Sequence, residues 1–174
     1  EGPGKVPPHS IEAEESVIGG VLLDNTALDR ATELVTPEHF YRQAHRKIMR
    51  AILDLNERNE PVDLVTLSEA LRSRNELQDV GGAAYLAELV ERVPTAANVT
   101  YYARIIRDKA LLRALIQAST EIAMRGFEAP GDVDAFLDEA EHQIYRIAEG
   151  KTRASFQRLG EILIDSMKQV ERLY

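Results

Sequence analysis

The feature of this sequence that most constrains its fold is a long helical stretch in which apolar residues come in adjacent pairs. Between Asn98 and Arg125 the pairs are Tyr101-Tyr102, Ile105-Ile106, Leu111-Leu112 and Leu115-Ile116. Neighbouring residues of an α-helix point about 100° apart, so these pairs form two stripes instead of one. Such a helix must be covered on two sides.

A second helix is available to cover one of the two stripes. Gly126, Pro130 and Gly131 break the pattern, and Asp132 is placed to cap the helix that follows. Heptad spacing gives the second helix a seam made of Val133, Leu137, Ala140, Ile144 and Ile147. The matching seam of the first helix is Ile105, Leu112, Leu115, Ser119 and Ile122. The pattern predicts an antiparallel αα-hairpin.

The hairpin leaves a surplus of apolar residues, namely Tyr102, Ile106 and Ile116 on the first helix and Phe136 and Tyr145 on the second. Part of this surplus, near Tyr101 and Tyr102, can cover a neighbouring globular unit. Beyond about Leu111 a two-helix hairpin has no other cover within the chain, and an exposed apolar stripe usually marks an interface. We therefore expect an interface there. The alternative is a hairpin that folds flat against the rest of the chain and buries both faces.

The residues before the hairpin have the helical period almost throughout. Ser10 is placed to cap a first helix, and Thr36-Pro37-Glu38 is read as the start of a helix that continues to about Arg58. Asp63 is placed to cap another helix, and Gly81-Gly82 precedes a short last one. The residues expected to point inward are Ile11, Ile18, Val21, Leu22, Ala44, Ile48, Ala51, Ile52, Leu55, Leu67 and Leu71. No run of β-branched alternation appears, so the predicted class is all-α, with a compact helical bundle before the hairpin.

The end of the sequence predicts a separate helix. AEGKTRASFQ has no periodicity, whereas Leu159, Ile162, Leu163, Met167, Val170 and Leu173 share one face of a helix that is still running at Tyr174. The expected organisation is a flexible terminus at 1–7, a globular domain at 8–97, a hairpin at 98–148, a flexible linker at 149–158 and a linker helix at 159–174. The helix running to the last residue indicates the front part of a longer protein.

The bulk properties exclude several classes of protein. The chain has no cysteine, which excludes disulfides and cysteine-bound zinc, and no apolar run approaches a membrane span. EGPGKVPPHS lacks the apolar core of a signal peptide, so a cytoplasmic location is expected. The net charge of -8 argues against a surface that grips nucleic acid everywhere. Arg104, Arg107, Lys109 and Arg113 form a local basic cluster. The simpler interpretation is a solvated helix face, and the alternative is weak DNA binding.

The sequence lacks the groups of a catalyst. Gly150-Lys151-Thr152 matches the end of a P-loop, but Tyr145 stands where the motif needs its first glycine. His39 and His45 are six residues apart, which is the wrong spacing for a shared metal on a helix, so they are read as structural. Glu12, Glu14 and Glu15 are read as favouring a helix N-terminus. Gly19-Gly20 is read as permitting close helix packing. We expect no catalytic, cofactor or metal site in this chain.

Three stretches resemble the amino-terminal region of bacterial replicative DNA helicases of the DnaB family. They are PHSIEAEESVIGGVLLD, FYRQAHRKIMRAILDL and GGAAYLAELVERVPTAANVTYYARIIRDKALLRALI, and they occur in the family's order. The resemblance spans Pro7 to about Ile147, and the combination GGxxYL…VPTAANVxYYA is highly specific.

The resemblance implies a six-membered ring that unwinds DNA with ATP and Mg, using a carboxy-terminal motor domain that is missing here. It also implies that the hairpins pair subunits into a collar that receives the primase, with a helicase loader as a further candidate partner and single-stranded DNA held mainly by the parent ring. The pairing surface then maps to Tyr101, Tyr102, Ile106, Leu112, Ile116, Phe136, Leu137, Ile144 and Tyr145. Docking of the linker helix on a neighbouring motor maps to Leu159, Ile162, Leu163, Met167 and Val170. The competing hypothesis is a free helical adaptor that belongs to no motor.

Overall fold

The computed structural model describes residues 6–128 and 131–149, and every regular element in these ranges is helical. The helices are α1 (Ile11–Leu23), α2 (Ala27–Thr32), a 3-10 turn (Pro37–His39), α3 (Gln43–Glu57), α4 (Leu64–Ser73), α5 (Gly82–Glu91) and α6 (Val99–Phe127). A last helix, α7, covers 133–149. The predicted all-α class is confirmed. The predicted linker helix at 159–174 lies outside the described residues.

The chain forms two compact units, Glu1–Leu112 and Arg113–Tyr174. The sequence pattern places this boundary at the start of the hairpin, between residues 97 and 98. The structure places it later because the first turns of α6 bury Val99, Ala103 and Ile106 in the core of the first unit. The first unit is therefore the bundle together with the beginning of α6.

Local capping determines where several helices begin. The Ser10 hydroxyl accepts the N–H of Ala13 at 3.3 Å, and the Asp63 carboxylate accepts the N–H groups of Val65 and Thr66 at 2.8 and 2.9 Å. Asp132 accepts the N–H of Ala135 at 3.0 Å. Each cap satisfies backbone donors that the first turn of a helix leaves free. These three predicted helix starts are confirmed.

The predicted start of α3 is wrong. Thr36-Pro37-Glu38 begins a separate single turn, which ends where Phe40 takes an extended backbone and buries its ring completely. α3 itself begins at Gln43. Just before it, the backbone N–H groups of Tyr41 and Arg42 donate hydrogen bonds to the carboxylate of Glu14. The short α2 was also missed, because six residues are too few to show a period; it buries Ala27, Leu28 and Ala31.

The two glycines of α1 allow neighbouring backbone to approach closely. A methyl group on Gly19 would collide with the carbonyl oxygen of Leu89 in α5, and one on Gly20 would collide with the side chain of Val99. The interpretation of Gly19-Gly20 as a packing feature is therefore confirmed. Most of the inward-pointing residues predicted in this unit are also buried, Ile18, Val21, Ile48 and Leu67 completely; Ile11, Leu22 and Ala44 are partly buried.

Glu12 and Glu14 lie in the first turn of α1, as predicted, and Glu14 and Glu15 are in addition buried. Glu14 lies 2.6 Å from Nδ1 of His45, which is fully buried, and the other ring nitrogen of His45 lies 2.8 Å from the Tyr85 hydroxyl. Glu15 accepts a hydrogen bond from Arg92 at 2.7 Å. Burial of a carboxylate is costly unless it is paired and hydrogen-bonded, so these contacts explain the location of both acids. Burial also raises the pKa of Tyr85. This polar chain links α1, α3 and α5.

We expect Gly19→Ala to lower the free energy of unfolding by about 1–3 kcal/mol, because the added methyl group has to displace the backbone of α5. Urea unfolding followed by circular dichroism measures the change. Gly131→Ala is the matched control, since nothing lies within 4 Å of a Cβ there. Equal stability of the Gly19 variant and the wild type would contradict the close packing of α1 and α5.

We expect His45→Leu to lower the free energy of unfolding by about 3 kcal/mol or more, because Glu14 keeps its place in the core and loses its ring partner. His142→Leu is the control, because this histidine is exposed on α7. Chemical unfolding of both variants at neutral pH gives the comparison. A His45 variant as stable as the control would show that the polar chain does not support the bundle.

Candidate assembly surface on the helical hairpin

Within the second unit, the last part of α6 packs antiparallel against α7. The guanidinium of Arg125 binds Glu139 at 2.6 Å and lies 5.0 Å from the ring centre of Phe136. At the other end of the unit, Ala118 of α6 and Ile147 of α7 line one hollow. The end of α6 thus lies beside the start of α7, and an earlier part of α6 lies beside the end of α7. This antiparallel order confirms the predicted hairpin.

The seam of this hairpin differs from the predicted heptad. The residues of α7 that lose exposure are Phe136, Ala140, Gln143 and Ile147, and they face Ala118, Ile122 and Arg125 of α6. Ala140, Ile147 and Ile122 were predicted correctly, whereas Val133, Leu137 and Ile144 are exposed and do not belong to the seam. The ring of Phe136 packs beside Gly126 and the guanidinium of Arg125 on α6. Seating that ring turns Leu137 outward.

The rotated seam leaves a stripe of large apolar side chains in contact with solvent. Leu115 and Ile116 are 41% and 52% exposed on α6, and Leu137 and Tyr145 are each 59% exposed on α7. Ile144, at a spacing of seven residues from Leu137, continues the stripe on α7. We call Leu115, Ile116, Leu137, Ile144 and Tyr145 the pairing face.

Further exposed apolar residues accompany the pairing face. Leu112 lies one turn before Leu115 and Ile116 on α6, as the last residue of the first unit. Met124, Phe127 and Val133 are exposed near the hairpin turn and were not among the predicted interface residues. The exposed position of Val133 follows from the rotation of the seam, which the heptad pattern alone does not reveal.

Three residues predicted for the interface have a different role in the structure. Ile106 is 2% exposed in the core of the first unit, and Tyr102 is half-buried against the same core. Phe136 faces α6 inside the hairpin. Of the aromatic pair at the start of α6, only Tyr101 is largely exposed, with its ring edge-on to that of Tyr102. The bundle thus covers the first turns of α6, and α7 packs on its last turns.

The described residues contain no cluster of three or more His, Asp or Glu side chains that could hold a metal ion. His39 belongs to the 3-10 turn, where its ring accepts the N–H of Thr36 at 3.1 Å, and so lies apart from the buried His45. None of the helices in 6–128 and 133–149 is both long and apolar enough to cross a membrane. Lys151 and the docking residues Leu159, Ile162, Leu163, Met167 and Val170 lie outside the described residues. What the geometry shows in this unit is a set of exposed large apolar side chains on both helices.

Comparison with known proteins gives the chain a family. The model of the DnaB-like helicase N terminal domain matches residues 6–108. The chain is 45% identical over 170 residues to the replicative DNA helicase DnaB of Geobacillus stearothermophilus and 41% identical to the replicative DNA helicase DnaC of Bacillus subtilis. Both alignments cover 98% of this chain but only 37% of the relative, so the chain spans little more than a third of these proteins.

Solved structures agree with this comparison. The crystal structure of the N-terminal domain of DnaB helicase from Mycobacterium tuberculosis superimposes with a TM-score of 0.77 at 44% identity, over 81% of this chain and 99% of that one. A DnaB-like replicative helicase, solved in a study of its interactions with primase, matches with a TM-score of 0.65 at 23% identity over 79% of this chain and 31% of that one, and shows the shared fold alone. The chain therefore belongs to the family of DnaB-like helicase N-terminal domains.

Proposed function

We propose that this chain is the assembly part of a replicative DNA helicase and that its pairing face joins two subunits. The observation that carries the proposal is the exposure of large apolar side chains on both helices of the hairpin. Soluble monomers rarely keep a contiguous apolar patch of this kind in water. Its residues come from two rigid helices, so they can meet a partner without the cost of ordering a loop.

A second copy of the same chain is the partner that fits this face best. A two-fold axis across the pairing face would bring Ile116 and Ile144 of one copy against the same stripe of the other, because such an interface is self-complementary. Four antiparallel helices would then enclose one apolar core, the arrangement of a helical bundle. In that arrangement Leu137 and Tyr145, which the hairpin leaves exposed, would be covered.

The whole protein's activity is proposed from the relatives. They are replicative DNA helicases more than twice as long as this chain, and we assign ATP hydrolysis with Mg, and the grip on single-stranded DNA, to the part of them that this chain does not cover. Three hairpin pairs would build a collar on a six-membered ring. The neighbour solved in a study of its interactions with primase supports primase as a partner. A helicase loader is a second candidate, and such a machine would work in the cytoplasm on chromosomal DNA.

We expect Ile116→Glu and Ile144→Glu each to convert a dimer, or a larger assembly, into a monomer. A carboxylate buried without a partner costs several kcal/mol, which is enough to raise a micromolar dissociation constant by a hundredfold or more. Sedimentation velocity at about 100 μM protein gives the mass. Gln117→Glu is the matched control, since it adds the same charge beside Ile116 on the side of α6 that faces away from the pairing face. A wild-type monomer at this concentration would exclude the pairing proposal.

We expect the purified chain to show no ATP hydrolysis and no unwinding of a forked duplex. Its only P-loop-like residues, Gly150-Lys151-Thr152, lack the first glycine and therefore the cradle of backbone N–H groups that holds phosphates. Phosphate release is measured for the wild type and for Lys151→Ala prepared in parallel. A wild-type rate above that of the Lys151 variant would assign these residues to nucleotide binding.

A further inference from the structure

The ring of His45 lies between two side-chain oxygen atoms in the first unit. Its Nδ1 is 2.6 Å from Oε2 of Glu14, and its Nε2 is 2.8 Å from the hydroxyl of Tyr85. The ring is completely buried, so its two nitrogens depend on these two oxygens for their hydrogen bonds. A ring nitrogen has to donate wherever the oxygen beside it can only accept, and this rule gives the number of protons on the ring.

The carboxylate of Glu14 acts as an acceptor. The backbone N–H groups of Tyr41 and Arg42 donate to its two oxygens at 2.5 and 3.3 Å. Its side chain is only 2% exposed, and His45 is the one basic side chain in residues 6–128 and 131–149 that pairs with it. A buried carboxylate is costly without a positive charge beside it. Nδ1 of His45 is therefore a donor, and an imidazolium supplies the charge that Glu14 needs.

The hydroxyl of Tyr85 has one proton and three polar neighbours. It accepts a hydrogen bond from the guanidinium of Arg42 at 3.2 Å and donates one to Oε1 of Glu15 at 3.3 Å. Because its single proton points to Glu15, the hydroxyl can only accept from Nε2 of His45. Nε2 then carries a proton as well. All three contacts of the hydroxyl are hydrogen bonds in this arrangement.

A neutral ring would satisfy fewer of these contacts. With Nδ1 donating to Glu14, a neutral His45 has no proton on Nε2, and Tyr85 would have to donate its own proton there. The oxygens of Tyr85 and Glu15 would then face each other at 3.3 Å without a hydrogen between them. The charge of Glu14 would also lack a partner. The contacts therefore favour a ring that is protonated on both nitrogens.

Glu15 connects these buried contacts to the surface of the bundle. Besides the hydroxyl of Tyr85, it binds the guanidinium of Arg92 at 2.7 Å and lies 3.9 Å from that of Arg42. Both arginine side chains are about half exposed. Arg92 also pairs with Glu88 on α5. A change in the direction of the Tyr85 hydroxyl therefore changes the hydrogen bonding of the carboxylate that holds the two surface arginines.

We propose that His45 is an imidazolium in the folded chain and that its Nε2 proton sets the direction of the Tyr85 hydroxyl. While this proton is present, Tyr85 donates to Glu15. When the proton is lost to solvent, Tyr85 turns to donate to Nε2, and Glu15 is held by Arg42 and Arg92 alone. The ring thus acts as a pH-sensitive switch between the core and the surface of the bundle. All parts of the switch lie in the first unit, and it works without the pairing of subunits.

Nitrogen-15 NMR of the full chain measures the proton on each ring nitrogen separately. We expect His45 to carry a proton on both nitrogens at about pH 7.5, where an ordinary histidine is mostly neutral. His142, which is exposed on α7, is the reference in the same spectrum. Contacts with the Tyr85 ring, which lies parallel to that of His45, identify the signals of His45. A single protonated nitrogen in wild-type His45 at this pH would overturn the proposal.

Glu15→Gln tests the acceptor of the Tyr85 proton. Arg92 keeps the amide oxygen of the new side chain, so the NH2 group faces Tyr85, which then has to donate to His45. We expect the Nε2 proton of His45 to be bound roughly tenfold more weakly than in the wild type, or weaker still. Glu88→Gln is the matched control, because Glu88 binds Arg92 but makes no hydrogen bond with Tyr85, and it should leave the ring unchanged. Equal proton binding in the two variants would contradict the switch.

Tyr85→Phe is a second test, which keeps the aromatic ring and removes only the hydroxyl. Without that acceptor, Nε2 of His45 should lose its proton at a pH where the wild type keeps it. Tyr101→Phe, at an exposed position, is the control and should change nothing. Circular dichroism verifies that every variant is folded. A folded Tyr85 variant that holds the proton as tightly as the wild type would also overturn the proposal.

Discussion

The first unit is built around a carboxylate that has to be satisfied inside the protein. Glu14 is buried on α1, and its partners come from three other places: the ring of His45 on α3 and the backbone N–H groups of Tyr41 and Arg42. The other ring nitrogen of His45 contacts the hydroxyl of Tyr85 on α5. A hydrophobic core tolerates small shifts of its helices, but a chain of short polar contacts does not. We therefore conclude that the polar contacts of Glu14, His45 and Tyr85 fix the positions of α1, α3 and α5 around the apolar core.

Features that depend on neighbouring residues could be predicted from the sequence. The caps at Ser10, Asp63 and Asp132 and the breaks before α5 and α7 need only a few consecutive residues, and all were found. The burial of Glu14 and Glu15 could not be predicted, because their partners His45 and Tyr85 lie 31 and 70 residues further along the chain. Charged residues in a first helical turn usually face water, and only the tertiary fold reverses that expectation here.

The pairing face, too, could be predicted only in part from the sequence. Heptad spacing correctly predicted two helices, their antiparallel order and a surplus of apolar residues. It did not predict the rotation of α7, which places Phe136 rather than Leu137 in the seam, because the contacts of Phe136 with Gly126 and Arg125 lie on the opposite helix. Ile106 was misplaced for a related reason: the bundle, and not the hairpin, covers the first turns of α6. After both corrections, the predicted interface residues that stay exposed are Tyr101, Leu112, Ile116, Leu137, Ile144 and Tyr145, and the last four belong to the pairing face.

The contact of Tyr85 with His45 also gives this protein an optical signal of its own. The chain has no tryptophan and six tyrosines, so tyrosine dominates its absorption and emission in the near ultraviolet. Tyr101 and Tyr145 are largely exposed and sample the solvent, whereas the Tyr85 ring lies parallel to the His45 ring and its hydroxyl is held at 2.8 Å from a nitrogen of that ring. Because burial raises the pKa of Tyr85, its phenolate band appears at a higher pH than that of an ordinary phenol. The late phenolate band of Tyr85 in an alkaline absorbance titration thus reports the state of the bundle without any added label.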